Sequence, residues 1–266
     1  MNLKLQNTVG LVTCSTAGIG LAIAHSLATE GAHVYLNGRT HGRVDGAVAK
    51  IRARIPEAKI YGIVADFSSA EGSHVVIEAL PTVDVLINNV GIFEPKPFVE
   101  IPDDDWYRFF EINVMSGIRL ARHYLPLMLE KNWGRILFIS SESAVQIPAE
   151  MVHYGMTKTA QLAIARGIAE TVAGSGVTVN SILPGPTESE GVFAFVEALA
   201  KQQNKSNEQV EKEFFEHARP SSLIKRFASV EEVAAMVTYM ASELSSATNG
   251  AALRVEACGI QPRGIH

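Results

Sequence analysis

The sequence is short of cysteine, of positive charge and of long apolar runs, and each shortage removes a class of protein. Only two of its 266 residues are cysteine, at positions 14 and 258. So lone and distant a pair excludes a disulfide framework and a cysteine-based zinc site, and it fits a reducing, cytoplasmic setting. Lys and Arg total 23 against 28 acidic residues, a net charge of −5, so no basic field exists to hold a nucleic acid by counterion release. The stretch from Leu5 to Thr29 carries no Asp, Glu, Lys or Arg, but Gln6, Asn7, Thr8, Thr13, Ser15 and Thr16 interrupt it. A membrane span needs about 20 mostly apolar residues, and a signal peptide needs a cleavable end after a shorter apolar block; neither description fits. His25, His33, His123 and His217 show no metal-ligand spacing with carboxylates or cysteines, so no metal site is expected.

What the chain does contain is a regular alternation. With 47% hydrophobic and 19% charged residues, its length suits one large α/β domain spanning 1–266. Short β-branched runs at 9–13, 33–36, 59–64, 83–87, 135–139, 177–182 and 252–255 are apolar nearly throughout, as strands covered on both faces should be. Helical periodicity covers about 18–30, 41–55, 69–79, 103–131, 151–173 and 230–242. Pro102 and three aspartates open the fourth helix, and Gly174 and Gly176 follow the fifth. This pattern predicts a doubly wound (Rossmann) α/β fold, a parallel sheet of about seven strands with helices on both faces. Residues 184 to 227 break the alternation: they show no strand, only short amphipathic stretches at 192–199 and 208–217. An insertion after a strand's carboxyl end lies where ligands bind in this architecture, so it reads either as a lid or as a surface excursion.

The first strand runs into Thr13-Cys14-Ser15-Thr16-Ala17-Gly18-Ile19-Gly20 and then an Ala/Leu-rich helix. Glycines 18 and 20 would let a phosphate approach the N–H groups at the helix N-terminus, where the dipole favours negative charge. Paired glycines also occur in ordinary tight turns. After the second strand, where a carboxylate would bind the adenosine ribose hydroxyl, the chain has Asn37-Gly38-Arg39-Thr40. A guanidinium matches a ribose 2′-phosphate bidentately, which favours NADP over NAD unless Arg39 is merely solvated. Asp66, past the third strand, suits either an adenine amino group or a helix cap. Asn88-Asn89-Val90-Gly91 brings amides to the end of the fourth strand, where such groups more often tie strands together than do chemistry.

Tyr154 and Lys158, four apart on the fifth helix, share a face. A nearby ammonium stabilises phenolate and should lower the tyrosine pKa toward a range useful for proton transfer. Ser141, just beyond the fifth strand, faces the same crevice and could hydrogen-bond a substrate oxygen. Asn113 sits inside a long helix, a position that disfavours asparagine unless its side chain has a polar task. His153 points about 100° away from Tyr154 on the helix, which suits a surface or interface role.

These residues resemble the short-chain dehydrogenase/reductase family over essentially the whole chain: the Thr13 to Gly20 loop, Asp66, Asn88 to Gly91, Asn113, Ser141, Tyr154-Gly155-Met156-Thr157-Lys158, Asn180 with Pro184-Gly185, and Arg226 to Ala234. The resemblance implies a one-domain oxidoreductase, a homotetramer or homodimer joined through the helices at 103–131 and 151–173. It implies that Tyr154 protonates a carbonyl oxygen while the nicotinamide gives its hydride to the carbon, and that the reverse reaction oxidises a secondary alcohol. Lys158 would bind the nicotinamide ribose, Ser141 would orient the carbonyl, Asn113 would hold a water in the proton relay, and Thr187 after Pro184-Gly185 would contact the carboxamide. Cys14 stands where the family's loop opens with glycine, which should weaken dinucleotide affinity; Val90 and the ending Val255-Glu256-Ala257-Cys258-Gly259 also depart from its pattern. An acidic and apolar lining from Glu142, Glu150, Glu188, Glu190, Phe193 and Phe195 favours a neutral polyol, sugar or ketone. Alternatives are a 3-oxoacyl-thioester (acyl-carrier-protein) reductase and a catalytically idle dinucleotide-binding regulator.

Overall fold

A computed structural model of the chain describes residues 2–255, with Glu190, Gly191, Ala194, Phe195, Ala198 and Leu199 described in backbone only; Cys258 and the ending beyond Val255 lie outside the described residues. Each apolar run becomes a strand of one parallel sheet: β1 (Val9–Val12), β2 (His33–Gly38), β3 (Ile60–Val64), β4 (Val85–Asn88), β5 (Gly134–Ile139), β6 (Val177–Pro184) and, last in the chain, Ala252–Val255. Two short strands, β7 (Thr187–Glu188) and β8 (Ala228–Ser229), pair parallel in a separate ladder, so that the Ala252–Val255 strand is β9. The sheet order is β3-β2-β1-β4-β5-β6-β9. It reverses direction between β1 and β4, and such a switch point opens a crevice at the carboxyl ends of the strands.

Because side chains alternate across a strand, the apolar runs feed two cores. Val12, Val34, Leu36, Ile87, Leu137 and Ile182 pack with α1 (Gly18–Thr29), α2 (His41–Arg54) and, near the end of the chain, Val230–Met240. Leu11, Leu86, Ile136, Phe138 and Val179 pack on the other face with α3 (Ala70–Ala79) and the helices described next. The edges show it too: β5 and β6 are buried at every residue, whereas β3 and β9 are not.

The helix expected over 103–131 is three pieces: α4 (Asp103–Phe110), a π-turn at Glu111–Met115 and α5 (Ser116–Glu130). A π-turn inserts one residue into the helical ladder and turns the side chains that follow it, which periodicity alone does not reveal. α6 (Val152–Thr171) follows, and Gly174 adopts φ +82 just past its end. The 184–227 segment differs from expectation in holding β7, while its helices α7 (Glu190–Gln203) and α8 (Asn207–Glu213) overlap the two amphipathic stretches. Ser206 and Gln209 open α8 with a capping box, and Ser229 and Glu232 do the same for α9 (Val230–Met240).

Candidate active site

The turn after β1 is drawn tight by amides from neighbouring strands. Asn37 Oδ1 accepts from the Cys14 N–H at 3.1 Å, and Asn89 Nδ2 donates to the carbonyls of Thr13 and Cys14 at 3.2 and 2.9 Å. Thr13 is buried and its hydroxyl accepts from the Asn89 N–H, while the buried Ser15 hydroxyl donates to Val12 and accepts from the Asn37 N–H at 2.9 Å. The Thr13 and Ser15 hydroxyls and the Asn89 Nδ2 therefore shape the loop from within. Cys14 sits at φ +49, a left-handed conformation that disfavours a side chain, where the family pattern has glycine. Cys14 is exposed, yet the protein packed around its thiol pushes the pKa up, against the pull of Arg39, Arg43 and Lys158. Arg39 itself is exposed just past β2.

Gly18 adopts φ +54, and a Cβ on Gly20 would lie 2.5 Å from the Cys14 carbonyl and 2.8 Å from the Ser15 Cα, so only glycine permits this approach of loop and helix. Ile19 follows Gly18 into the first turn of α1. Ala17 caps that helix with no side-chain hydrogen bond, and its first turn holds no acidic residue. Unsatisfied N–H groups at a helix start with neither cap nor carboxylate fit a dinucleotide pyrophosphate. Thr16 packs beneath the loop, its methyl occupying the space where a Cβ on Gly38 would fall.

Asp66 Oδ1 accepts from the Ser68 N–H at 3.0 Å in the turn before Ser69, the residue that opens α3, and Asp66 itself remains exposed. Asn88, expected to tie strands, keeps a buried amide with no partner among the described residues. Asn180 Oδ1 accepts from the Ala251 N–H and its Nδ2 donates to Thr248, fastening β6 to the segment before β9. Pro184 ends β6, Gly185 N–H donates to the Val255 carbonyl at 2.9 Å, and the buried Thr187 hydroxyl donates to Gly185 at 2.9 Å.

At the end of β5 the structure brings the chemical residues together. The Ser141 hydroxyl lies close enough to the Tyr154 phenol to pull its pKa down, and it accepts from the Ser143 N–H at 3.1 Å, which holds its rotamer. Lys158 is buried, with Nζ 5.7 Å from the Tyr154 ring centroid and 2.8 Å from the Ile139 carbonyl. A Cβ on Gly91 would stand 3.3 Å from that Nζ, so Gly91 keeps the space beside the ammonium open. Asn113 lies in the π-turn: Oδ1 accepts from the Ile92 N–H at 2.8 Å, and Nδ2 donates to the Ile92 carbonyl and to Thr157 Oγ1, each at 3.0 Å. Its side chain thus binds the segment after β4 to α6.

Burial dominates the electrostatics. It raises the Tyr154 pKa above the ordinary phenol value; Ser141 pulls it back and the Glu142 carboxylate adds to the rise. The expected lowering by Lys158 does not prevail in the free protein. Burial pushes Lys158 down to about 8, opposed by Cys14. At neutral pH the pair is a neutral phenol beside an ammonium.

Three further residues at the site were not anticipated from sequence. Ser140 Oγ donates to the Lys158 carbonyl at 2.9 Å, and the buried Gln161 touches both Lys158 and Asn113. Arg219, from the 184–227 segment, donates through Nε to Glu142 at 3.1 Å and lies 3.8 Å from Glu150. Gln161 carried a signal, since it stands one turn beyond Lys158 on the same helix face; Arg219 carried none. Two of the four acids expected in the lining, Glu142 and Glu150, thus share one guanidinium. Phe193 is exposed, and the side chains of Glu190 and Phe195 lie outside the described residues. His153 is not at the surface: it is fully buried against Phe109, ring centroids 4.0 Å apart, and burial pushes its pKa down. Among the described residues no cluster of metal-ligating side chains occurs and no helix is long and apolar enough to cross a membrane.

Residues 8–200 match the family model described as short chain dehydrogenase. The chain is 47% identical over 256 residues to the oxidoreductase YvaG of Bacillus subtilis, covering 96% of this chain and 97% of that one. It is 32% identical to a 3-oxoacyl-(acyl-carrier-protein) reductase of Aquifex aeolicus over 96% of this chain and 98% of the relative. Among solved structures it is similar to the L-sorbose reductase of Gluconobacter frateurii complexed with NADPH and L-sorbose, with TM-score 0.89 and 28% identity, over 96% of this chain and 97% of that one. The sheet order, the glycine loop and the clustered Ser141, Tyr154 and Lys158 agree with these matches, and the chain belongs to the short-chain dehydrogenase/reductase family of oxidoreductases.

Proposed function

We propose that the protein is an NADP(H)-dependent oxidoreductase that reduces a carbonyl group, or in reverse oxidises a secondary alcohol, with Tyr154 as the proton donor. The observation that carries this reading is the convergence of the Ser141 hydroxyl and the Lys158 ammonium on Tyr154, the ammonium 5.7 Å from its ring centroid. A bound NADPH would supply the hydride for the carbonyl carbon. The two hydroxyls of Ser141 and Tyr154 converge on the carbonyl oxygen, where Ser141 donates a hydrogen bond and Tyr154 delivers its proton. Lys158 holds positive charge beside the phenol as negative charge develops there, and its Nζ has a donor left for ribose hydroxyls. Because the phenol pKa lies above its ordinary value, Tyr154 is in the acid form at neutral pH, which suits reduction; oxidation calls for alkaline conditions.

The cofactor residues are read as two kinds. Gly18, Ile19 and Gly20 offer the helix start, Arg39 the 2′-phosphate contact that favours NADP over NAD, and Gly91, Tyr154, Lys158, Pro184, Gly185 and Thr187 the nicotinamide end; Thr13, Ser15, Thr16, Asp66, Asn89 and Asn113 shape those surfaces. The bond from Arg219 to Glu142, neighbour of Ser141, supports reading 184–227 as a substrate-binding lid on a single domain of residues 1–266. Glu142, Glu150 and Arg219 offer both acceptors and donors, and their residual negative charge disfavours an anionic substrate, which suits a neutral polyhydroxy ketone; the NADPH complex of L-sorbose reductase is a precedent at 28% identity. The Aquifex aeolicus relative supports a second reading, reduction of a 3-oxoacyl thioester. A cytoplasmic homotetramer or homodimer joined through α4, α5 and α6 completes the proposal.

The test is loss of reduced-nicotinamide absorbance with NADPH or NADH against neutral ketoses, simple ketones and a 3-oxoacyl thioester, with Tyr154→Phe as the blank. Turnover with a ketose and NADPH that vanishes in Tyr154→Phe, while NADPH binding persists, is the expected result. Equal turnover in the variant overturns the role of Tyr154, and binding without turnover of any carbonyl supports an idle binder.

A further inference from the structure

α6 carries one polar stripe, Tyr154, Thr157, Lys158 and Gln161 at helical spacing, on a helix whose other buried residues are His153, Gly155, Ala165 and Ala169. Three of the four have tasks already described. Gln161 has none in the proposed chemistry, yet it is 2% exposed, and burying a carboxamide is unfavourable unless both of its ends are satisfied.

Both ends are satisfied, and by groups of opposite demand. Gln161 Nε2 donates to the Asn113 carbonyl at 2.6 Å, and Gln161 Oε1 accepts from Lys158 Nζ at 3.4 Å. A carbonyl can take only the NH2 end and an ammonium only the oxygen end, so the amide's orientation is dictated by its partners. The Asn113 contact joins residues 48 apart in the sequence, one on the π-turn and one on α6, whereas Lys158 lies three residues from Gln161 on the same helix. Lys158 carries four methylenes of rotamer freedom, and its other protein acceptor is the Ile139 carbonyl at 2.8 Å. Ile139 and Gln161 together fix two of its three N–H directions.

We propose that Gln161 is a positioning residue: its carboxamide ties the Lys158 ammonium to the Asn113 carbonyl of the π-turn, so that the ammonium is held beside the Tyr154 ring and not left on a swinging stem. This rests on the proposed role of Tyr154 and Lys158 for its functional meaning, but the geometry can be tested without turnover. A carboxamide that only filled space or only satisfied Asn113 would leave Lys158 unaffected by its loss. An acceptor that holds the charged form of Lys158 would not, because removing it favours the neutral amine. Cys14 on the cofactor loop and Tyr154, one turn back on α6, are the titratable groups that face this ammonium.

The experiment is an NMR titration of the full-length protein labelled with ¹³C at lysine Cε, the Lys158 signal being the one missing from Lys158→Met. In the unsubstituted protein its midpoint is expected near 8. In Gln161→Met, which keeps the volume and loses the acceptor, the midpoint falls by about one pH unit, the low end for a hydrogen bond to a charged group. In Gln161→Glu, which puts a carboxylate in the same place, it moves above that of the unsubstituted protein. A thermal melt runs alongside. An unchanged midpoint in either folded variant, even with a lowered melting temperature, overturns the proposal and leaves Gln161 as packing for Asn113. Should Gln161→Met fail to fold, Gln161→Glu decides alone. Loss of turnover in Tyr154→Phe bears on the proposed function and not on this titration, so the two can fail separately.

Discussion

Replacing Lys158 with methionine should make the protein more stable at neutral pH. The side chain is 5% exposed and its pKa is pushed from 10.5 to about 8, burial being the largest cause. At about 1.4 kcal/mol per pH unit, that depression disfavours the folded state by on the order of 3 kcal/mol at pH 7. The unfolded chain keeps this proton up to about 10.5, the folded chain only to about 8, so between those values the unfolded state binds more protons and stability rises with pH. Methionine fills the stem's volume without the charge. It also leaves the Ile139 carbonyl and the Gln161 Oε1 without their ammonium partner, a combined loss of about 2 kcal/mol. The net expectation is a gain of about 1 kcal/mol at pH 7 that turns into a deficit of about 2 kcal/mol above pH 10, where the wild-type lysine is neutral when folded. Urea unfolding of both proteins at pH 7 and pH 10 measures this. A variant less stable at pH 7, or a difference that does not shrink toward alkaline pH, refutes the reasoning.

Cys14→Gly should relieve the left-handed conformation at φ +49 and stabilise the protein by about 0.5–1 kcal/mol after the added chain entropy of glycine. A fluorescence titration with NADPH should show tighter binding, and unchanged or weaker binding counts against the idea. Gly20→Ala should cost about 1–3 kcal/mol, because the new Cβ meets backbone atoms of Cys14 and Ser15 that cannot swing aside, and the same titration should show loss of NADPH binding. Arg135→Leu should cost about 3–5 kcal/mol, measured by thermal unfolding, since this buried guanidinium donates to the carbonyls of Gly134, Gly176 and Ser242. It lies at the amino end of β5, so the surviving folded fraction should bind NADPH as the parent does.

The strands were legible because a sheet covered on both faces favours runs that are apolar nearly throughout, with Leu137 and Val179 buried on opposite faces. The Tyr154 and Lys158 spacing was legible because helix geometry places fourth neighbours on one face. The π-turn at Glu111–Met115 was not, since it changes the helix by one residue and leaves the apolar pattern almost intact. Nor was the engagement of Ser15 and Asn89 within the loop, because a hydroxyl or amide near a crevice can face ligand or protein and only the fold chooses.

Local order along the chain was thus written in residue type and period: seven parallel strands, the helices between them, the glycine loop and the order of the chemical residues. The tertiary structure alone decided what those residues meet. It brought Arg219 to Glu142 and Gln161 to Asn113 across long sequence separations, and it made burial outweigh charge at Tyr154. The physical reason is that periodicity reports which face of an element is covered, whereas hydrogen-bond partners and pKa values depend on the particular atoms that cover it.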